Sequence, residues 1–177
     1  ERRLAAVEVL TDRGDLLVAA DIGLVERLLR DSRTWALVDP LAVYVAGSLA
    51  AAYPAELSGT LDRWVEDDDF WLRRAALLAL LVPLRDGQGD SDRFFRYADG
   101  LLDETEFFIR KAIGWVLRDM SRRRPELVRD WLETRAHRAS GVTMREAVKY
   151  LDTSDRDRLM AVYRLANRTG PRKRPSA

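Results

Sequence analysis

Asp69-Phe70-Trp71-Leu72-Arg73-Arg74-Ala75-Ala76 and Glu106-Phe107-Phe108-Ile109-Arg110-Lys111-Ala112-Ile113 decide the fold. Laid over one another at an offset of 37, they match in order: acid, aromatic, aromatic, aliphatic, base, base, alanine, apolar. Thr143-Met144-Arg145-Glu146-Ala147-Val148 gives a weaker third copy, 35 residues further on. A period in this range with two helices per unit predicts a HEAT-like α-solenoid of antiparallel helix pairs, one helix of each pair lining a concave face. Such a chain needs no single central core, because each unit buries its apolar side against its neighbours.

Working outward, almost every other segment also reads as helix. Apolar residues recur at three and four, as in Leu4, Val7, Leu10 and Leu24, Leu28, Leu29. Ala, Leu, Arg and Glu dominate, all strong helix formers. Breaks are expected at 12–15, 31–33, 53–54, 67–69, 86–91, 103–105, 124–125, 139–141 and 153–155, where Gly, Pro, Asp and Ser gather. They predict about nine or ten helices in an all-α domain over residues 1–167. Residues 168–177 hold Gly170, Pro171, Pro175 and several bases, and predict a flexible basic tail.

The 177-residue composition excludes several chemistries. With 0 Cys and 1 His there is no disulfide, thiolate site or His-rich zinc site, so no metal or cofactor is expected. No apolar stretch reaches about 18 residues without a charge, which predicts no membrane span and a cytoplasmic protein. The net charge of +1 conceals an asymmetry. Residues 1–120 carry 15 Lys and Arg against 22 Asp and Glu, whereas residues 121–177 carry 15 against 7. A basic C-terminal part suits an anionic partner, and it equally suits a tail that keeps the chain in solution.

Five tryptophans are many for this length. Trp64, Trp131 and Trp71 fall in core patterns. Trp35 and Trp115 are less easily assigned; by pattern core is favoured, but Gly114 before Trp115 weakens its helix and makes room for a close neighbour. Asp39 has two readings. Four residues after Trp35 on one helix it would set a carboxylate beside an indole, a surface for a cation. Preceding Pro40, it would simply cap a helix that begins there. Arg73-Arg74 and Arg110-Lys111 occupy equivalent repeat positions, suited either to phosphates or to acidic neighbours. His137 reads as a surface residue, and Arg122-Arg123-Arg124 as a favourable helix end.

The stretch Glu106-Phe107-Phe108-Ile109-Arg110-Lys111-Ala112-Ile113-Gly114-Trp115-Val116-Leu117-Arg118 resembles the bacterial DNA alkylation repair glycosylases of HEAT-like repeat fold, the alkylpurine glycosylase D type. Trp35-Ala36-Leu37-Val38-Asp39, Phe70 to Ala76, Pro125 with Val128, and Arg145-Glu146-Ala147 follow in register, covering about residues 1–155. The resemblance implies a glycosylase for N3- and N7-alkylated purines in duplex DNA, acting without deep base flipping. It implies catalytic roles for Asp39, Trp35 and Trp115, a phosphate-gripping Arg74 and a backbone-contacting Arg118; Arg73 and Lys111, by their repeat positions, are further candidate DNA-facing cations. It also implies further helices before the position matching Glu1; a monomer is expected because one asymmetric lesion needs only one subunit. A non-catalytic DNA-binding module and a protein-binding scaffold are the alternatives.

Overall fold

Residues 2–169 are described by a computed structural model, and helices and turns are its only regular structure. The protein is all-α, as the sequence predicts. The longer helices are Arg2–Asp12, Ile22–Ser32, Trp35–Ala52, Pro54–Val65, Phe70–Leu78, Ser91–Leu101, Phe107–Met120, Pro125–Glu133 and Thr153–Thr169. Shorter ones span Leu81–Arg85 and Gly141–Ala147. The predicted punctuation accounts for their starts. Pro54 and Pro125 stand in the first turn of their helices, while Asp69, Asp90, Glu106 and Ser140 accept backbone N–H groups as caps.

Several boundaries differ from expectation; the Pro125–Glu133 helix, for one, ends well before the break expected at 139–141. The segment after Phe70 divides at Ala79 and Leu80, a turn with no Gly or Pro to announce it. The last helix begins at Thr153, two residues before the expected end of that break, because Asp152 accepts the N–H of Asp155. It also runs on to Thr169, past the boundary expected at 168. The remainder of the expected tail, 170–177, lies outside the described residues.

The repeat is written into the side-chain contacts. Arg30 bonds Asp67 and Arg63 bonds Glu26 across 37 residues, and Trp64 donates to the same Glu26 across 38. Tyr97 meets Asp62 across 35, Arg135 meets Asp99 across 36, and Arg138 meets Asp103 across 35. Each joins like positions of successive units, at the offset legible in the sequence. Burial raises the Glu26 carboxyl, but bonds from Trp64, Arg30 and Arg63 outweigh it and hold the group below its ordinary range.

One contiguous apolar cluster runs through the units, from Val25 and Leu29 through Leu41, Trp64, Leu72 and Leu77 to Ile113, Leu117, Val128 and Leu132. Trp64, Trp71 and Trp131 belong to it, as their patterns predict. The Trp35–Ala52 helix is long and apolar enough to cross a membrane by length and composition. Burial of Val38, Leu41, Ala42, Val45 and Ala46 in the protein core accounts for the same composition. Its middle widens to a π-helix over Leu41–Ala46, directly after Pro40. Pro40 brings no N–H to the α-helical turn that precedes this segment.

Candidate active site

Asp39 is not a helix cap. Thr34 stands at the cap position, and Trp35 begins a helix that passes through Asp39 and Pro40. Trp35 and Asp39 therefore share one face at a spacing of four. Trp35 is 56% exposed despite its size. The Asp39 side chain is 14% exposed, so its carboxylate stands at the rim of the protein rather than inside it.

Behind that carboxylate lies Arg74. Its Nε donates to Asp39 Oδ1 at 2.7 Å and its Nη2 to Oδ2 at 2.8 Å, a planar two-pronged pair. Nη1 donates to the backbone carbonyl of Phe108, whose ring lies 5.7 Å from the guanidinium. The Arg74 side chain is 3% exposed. Three successive units thus converge on one cation. The Phe108 ring is in turn held by Trp71 at 5.0 Å and Phe70 at 6.4 Å, an aromatic wall behind the pair.

Beyond Phe108, the partly open positions Lys111, Trp115 and Arg118 follow at three, seven and ten, along one stripe of the Phe107–Met120 helix. Trp115 is half-buried, and its indole N–H donates to Asp119 Oδ2 at 3.2 Å. Arg118 bonds Asp119 Oδ1 at 3.1 Å through Nε and Glu146 Oε2 at 2.6 Å through Nη1. Lys111 Nζ meets the other oxygen, Glu146 Oε1, at 2.6 Å. Donation from Lys111 holds the Glu146 carboxyl below its ordinary range against the effect of burial, with Arg118 adding to it. Burial lowers the Arg118 guanidinium, and Asp119 and Glu146 together more than reverse this. The room that Gly114 makes is filled by the Gly141–Ala147 helix: a Cβ there would lie 2.8 Å from Glu146 Cβ and 3.0 Å from the Thr143 carbonyl oxygen.

The model of the DNA alkylation repair enzyme family matches residues 1–151. The chain belongs to that family. A solved structure from Enterococcus faecalis, titled a predicted DNA alkylation repair enzyme, is similar to this DNA alkylation repair protein with a TM-score of 0.74 and 26% identity. The match covers 84% of this chain and 67% of that one. No curated protein matches it.

For this repair protein, two of the expected DNA-facing cations are tied to acceptors within the protein. Arg74 has its donors turned inward on Asp39 and Phe108, so a phosphate grip would require breaking the pair. Arg73 donates to the carbonyls of Asp67 and Asp68 and pairs with Glu104 at 2.8 Å. It lines a hollow with Arg96 and the carboxylates of Asp62, Glu66, Asp67, Asp68 and Glu104, where acids outnumber bases. Lys111 and Arg118 remain at the surface, each tied to Glu146. His137 is exposed, as expected. Glu146, Asp119 and the Phe108 carbonyl were not singled out from the sequence. Glu146 had a signal, since it stands 35 residues after Lys111, one repeat on.

Proposed function

We infer that this family member is a DNA glycosylase that releases N3- and N7-alkylated purines from duplex DNA. The observation that carries this reading is a rim carboxylate, Asp39, locked by Arg74 beside a tryptophan left largely in solvent. Alkylation at N3 or N7 gives the purine a positive charge and makes it a good leaving group. The electron pair of the C1′–N bond departs with the base, and the sugar takes on oxocarbenium character. Asp39 faces that developing charge and stabilises it; water then adds at C1′ and gives up a proton, leaving an abasic site. The indoles of Trp35 and Trp115 hold the cationic nucleotide through their faces. Arg74 acts behind the carboxylate: it fixes both oxygens, so little orientation is left to be done as charge appears.

The test is release of 7-methylguanine and 3-methyladenine from methylated duplex DNA by the full-length protein and its Asp39→Asn variant. Loss of one preorganised charge-stabilising group lowers the rate by about 10²–10³-fold. Absence of release by the parent, with salt-sensitive duplex binding intact, would instead make this a DNA-binding member without glycosylase chemistry.

A further inference from the structure

The basic character of the C-terminal part is not spread evenly. Residues 107–124 and 141–150 form two segments whose helices pack directly on one another. Together they hold eight Lys and Arg against two carboxylates, Asp119 and Glu146. Both acids are occupied by bonds to Trp115, Lys111 and Arg118. The stripe Lys111, Trp115, Arg118 continues one turn further, because Ser121 and Arg122 keep helix-like backbone bonds to Leu117 and Asp119. It therefore reaches Arg122 at the next position on the same side.

Arg122 is exposed, and its partner is a neutral ring. Its guanidinium lies 4.0 Å from the centre of the Tyr150 ring, and Nη2 donates to the Tyr150 hydroxyl. Tyr150 is itself exposed; Lys149, before it in the chain, turns to Glu146 at 3.9 Å. A stacked guanidinium keeps its full charge and its remaining N–H donors, yet is held in one orientation. An acid partner would have cancelled the charge; an aromatic partner does not.

We propose that the Arg122–Tyr150 stack is a docking point for a DNA backbone phosphate, on the same side of the helix as Trp115 of the candidate active site. It rests on the DNA-repair reading above, but it concerns duplex binding and not base release. The partner is duplex DNA without sequence preference, since a stacked arginine at the surface reads charge and not base edges.

The experiment measures binding of the full-length protein to an undamaged 20-base-pair duplex by fluorescence anisotropy, between 50 and 200 mM NaCl. The variants are Arg122→Ala, Tyr150→Phe, Tyr150→Ala and, as a control on the acidic side, Arg63→Ala. Loss of one phosphate contact lowers the slope of log K against log salt by about 0.9, so Arg122→Ala loses about threefold less affinity than the parent across that range. Tyr150→Ala follows Arg122→Ala in weakening binding, Tyr150→Phe stays near the parent, and Arg63→Ala is unchanged. Circular dichroism melting of each exposed-site variant checks that it remains folded. An Arg122→Ala slope equal to that of the parent, or a parent that does not bind the duplex, overturns the proposal. Because the duplex carries no lesion, failure of the glycosylase reading leaves this outcome independent.

Discussion

Removing Arg74 and Asp39 singly and together tests whether the pair is a structural unit. Arg74→Ala breaks two charge-assisted bonds of 2.7 and 2.8 Å and leaves the Phe108 carbonyl without its donor. An orphaned buried acceptor alone costs about 1–3 kcal/mol. Asp39 is close enough to solvent to be partly rehydrated, which limits the penalty on its side. A loss of about 3–4 kcal/mol follows for Arg74→Ala, below the upper range for fully buried pairs. At about 2–4 °C per kcal/mol for a chain of this size, its melting temperature falls by roughly 6–16 °C. Asp39→Ala strands a guanidinium that is 3% exposed, at a similar cost. The double variant removes both charges, so the single losses do not add, and a coupling of about 2–3 kcal/mol is expected. Urea unfolding with a shared slope reads all four corners of the cycle. A coupling below about 0.5 kcal/mol would refute the reasoning: Arg74 would then stand free of Asp39 in solution, open to the phosphate role expected from the sequence.

Other perturbations separate fold from site. Trp35→Ala removes a largely exposed ring, so the melting temperature should move by less than about 2 °C while base release drops about tenfold, in line with a cation–π contribution of 0.5–2 kcal/mol; a large thermal shift would show that Trp35 is a packing residue. Gly114→Ala drives a methyl group into Glu146 and Thr143, and overpacking of this kind costs about 1–3 kcal/mol; a melting temperature unchanged within 1 °C would contradict the close approach of the two helices. The depressed Glu146 carboxyl adds stability that is fully present above its ordinary value of about 4.5 and is lost as pH falls through the lower folded value. Melting curves from pH 6 down to pH 3 should therefore fall less steeply for Glu146→Gln than for the parent, and identical curves would remove Glu146 from the acid response.

The repeat was legible because helical packing demands similar residues at similar depths: Trp71 and Phe108 occupy one slot and now touch. The helix starts were legible because caps and prolines act locally. The division at Ala79 and Leu80 was not, because no turn residue marks it; Gly47 lies against the Ala79 carbonyl, so close that a Cβ would come within 2.9 Å. Local pattern could not choose between the two roles of Asp39 either, since Pro40 is compatible with both a helix start and a strained interior. The choice was made by Arg74, one repeat away. Arg73 and Arg74 are neighbours of the same type, and only the third dimension separates one that ties a loop and Glu104 from one that holds Asp39.

The widened turn at Leu41–Ala46 carries a consequence for chain length. A π turn accommodates one residue more than an α-helix needs while the flanking helical faces keep their alignment. Deleting one residue there should let the backbone close into regular α-helix with Trp35 and Asp39 still facing as before. The same deletion inside Phe107–Met120 would swing Trp115 by roughly 100° from its place, since each residue turns the helix by that angle. Tolerance of single-residue gaps should therefore be concentrated just downstream of Pro40, in the wall of the site itself.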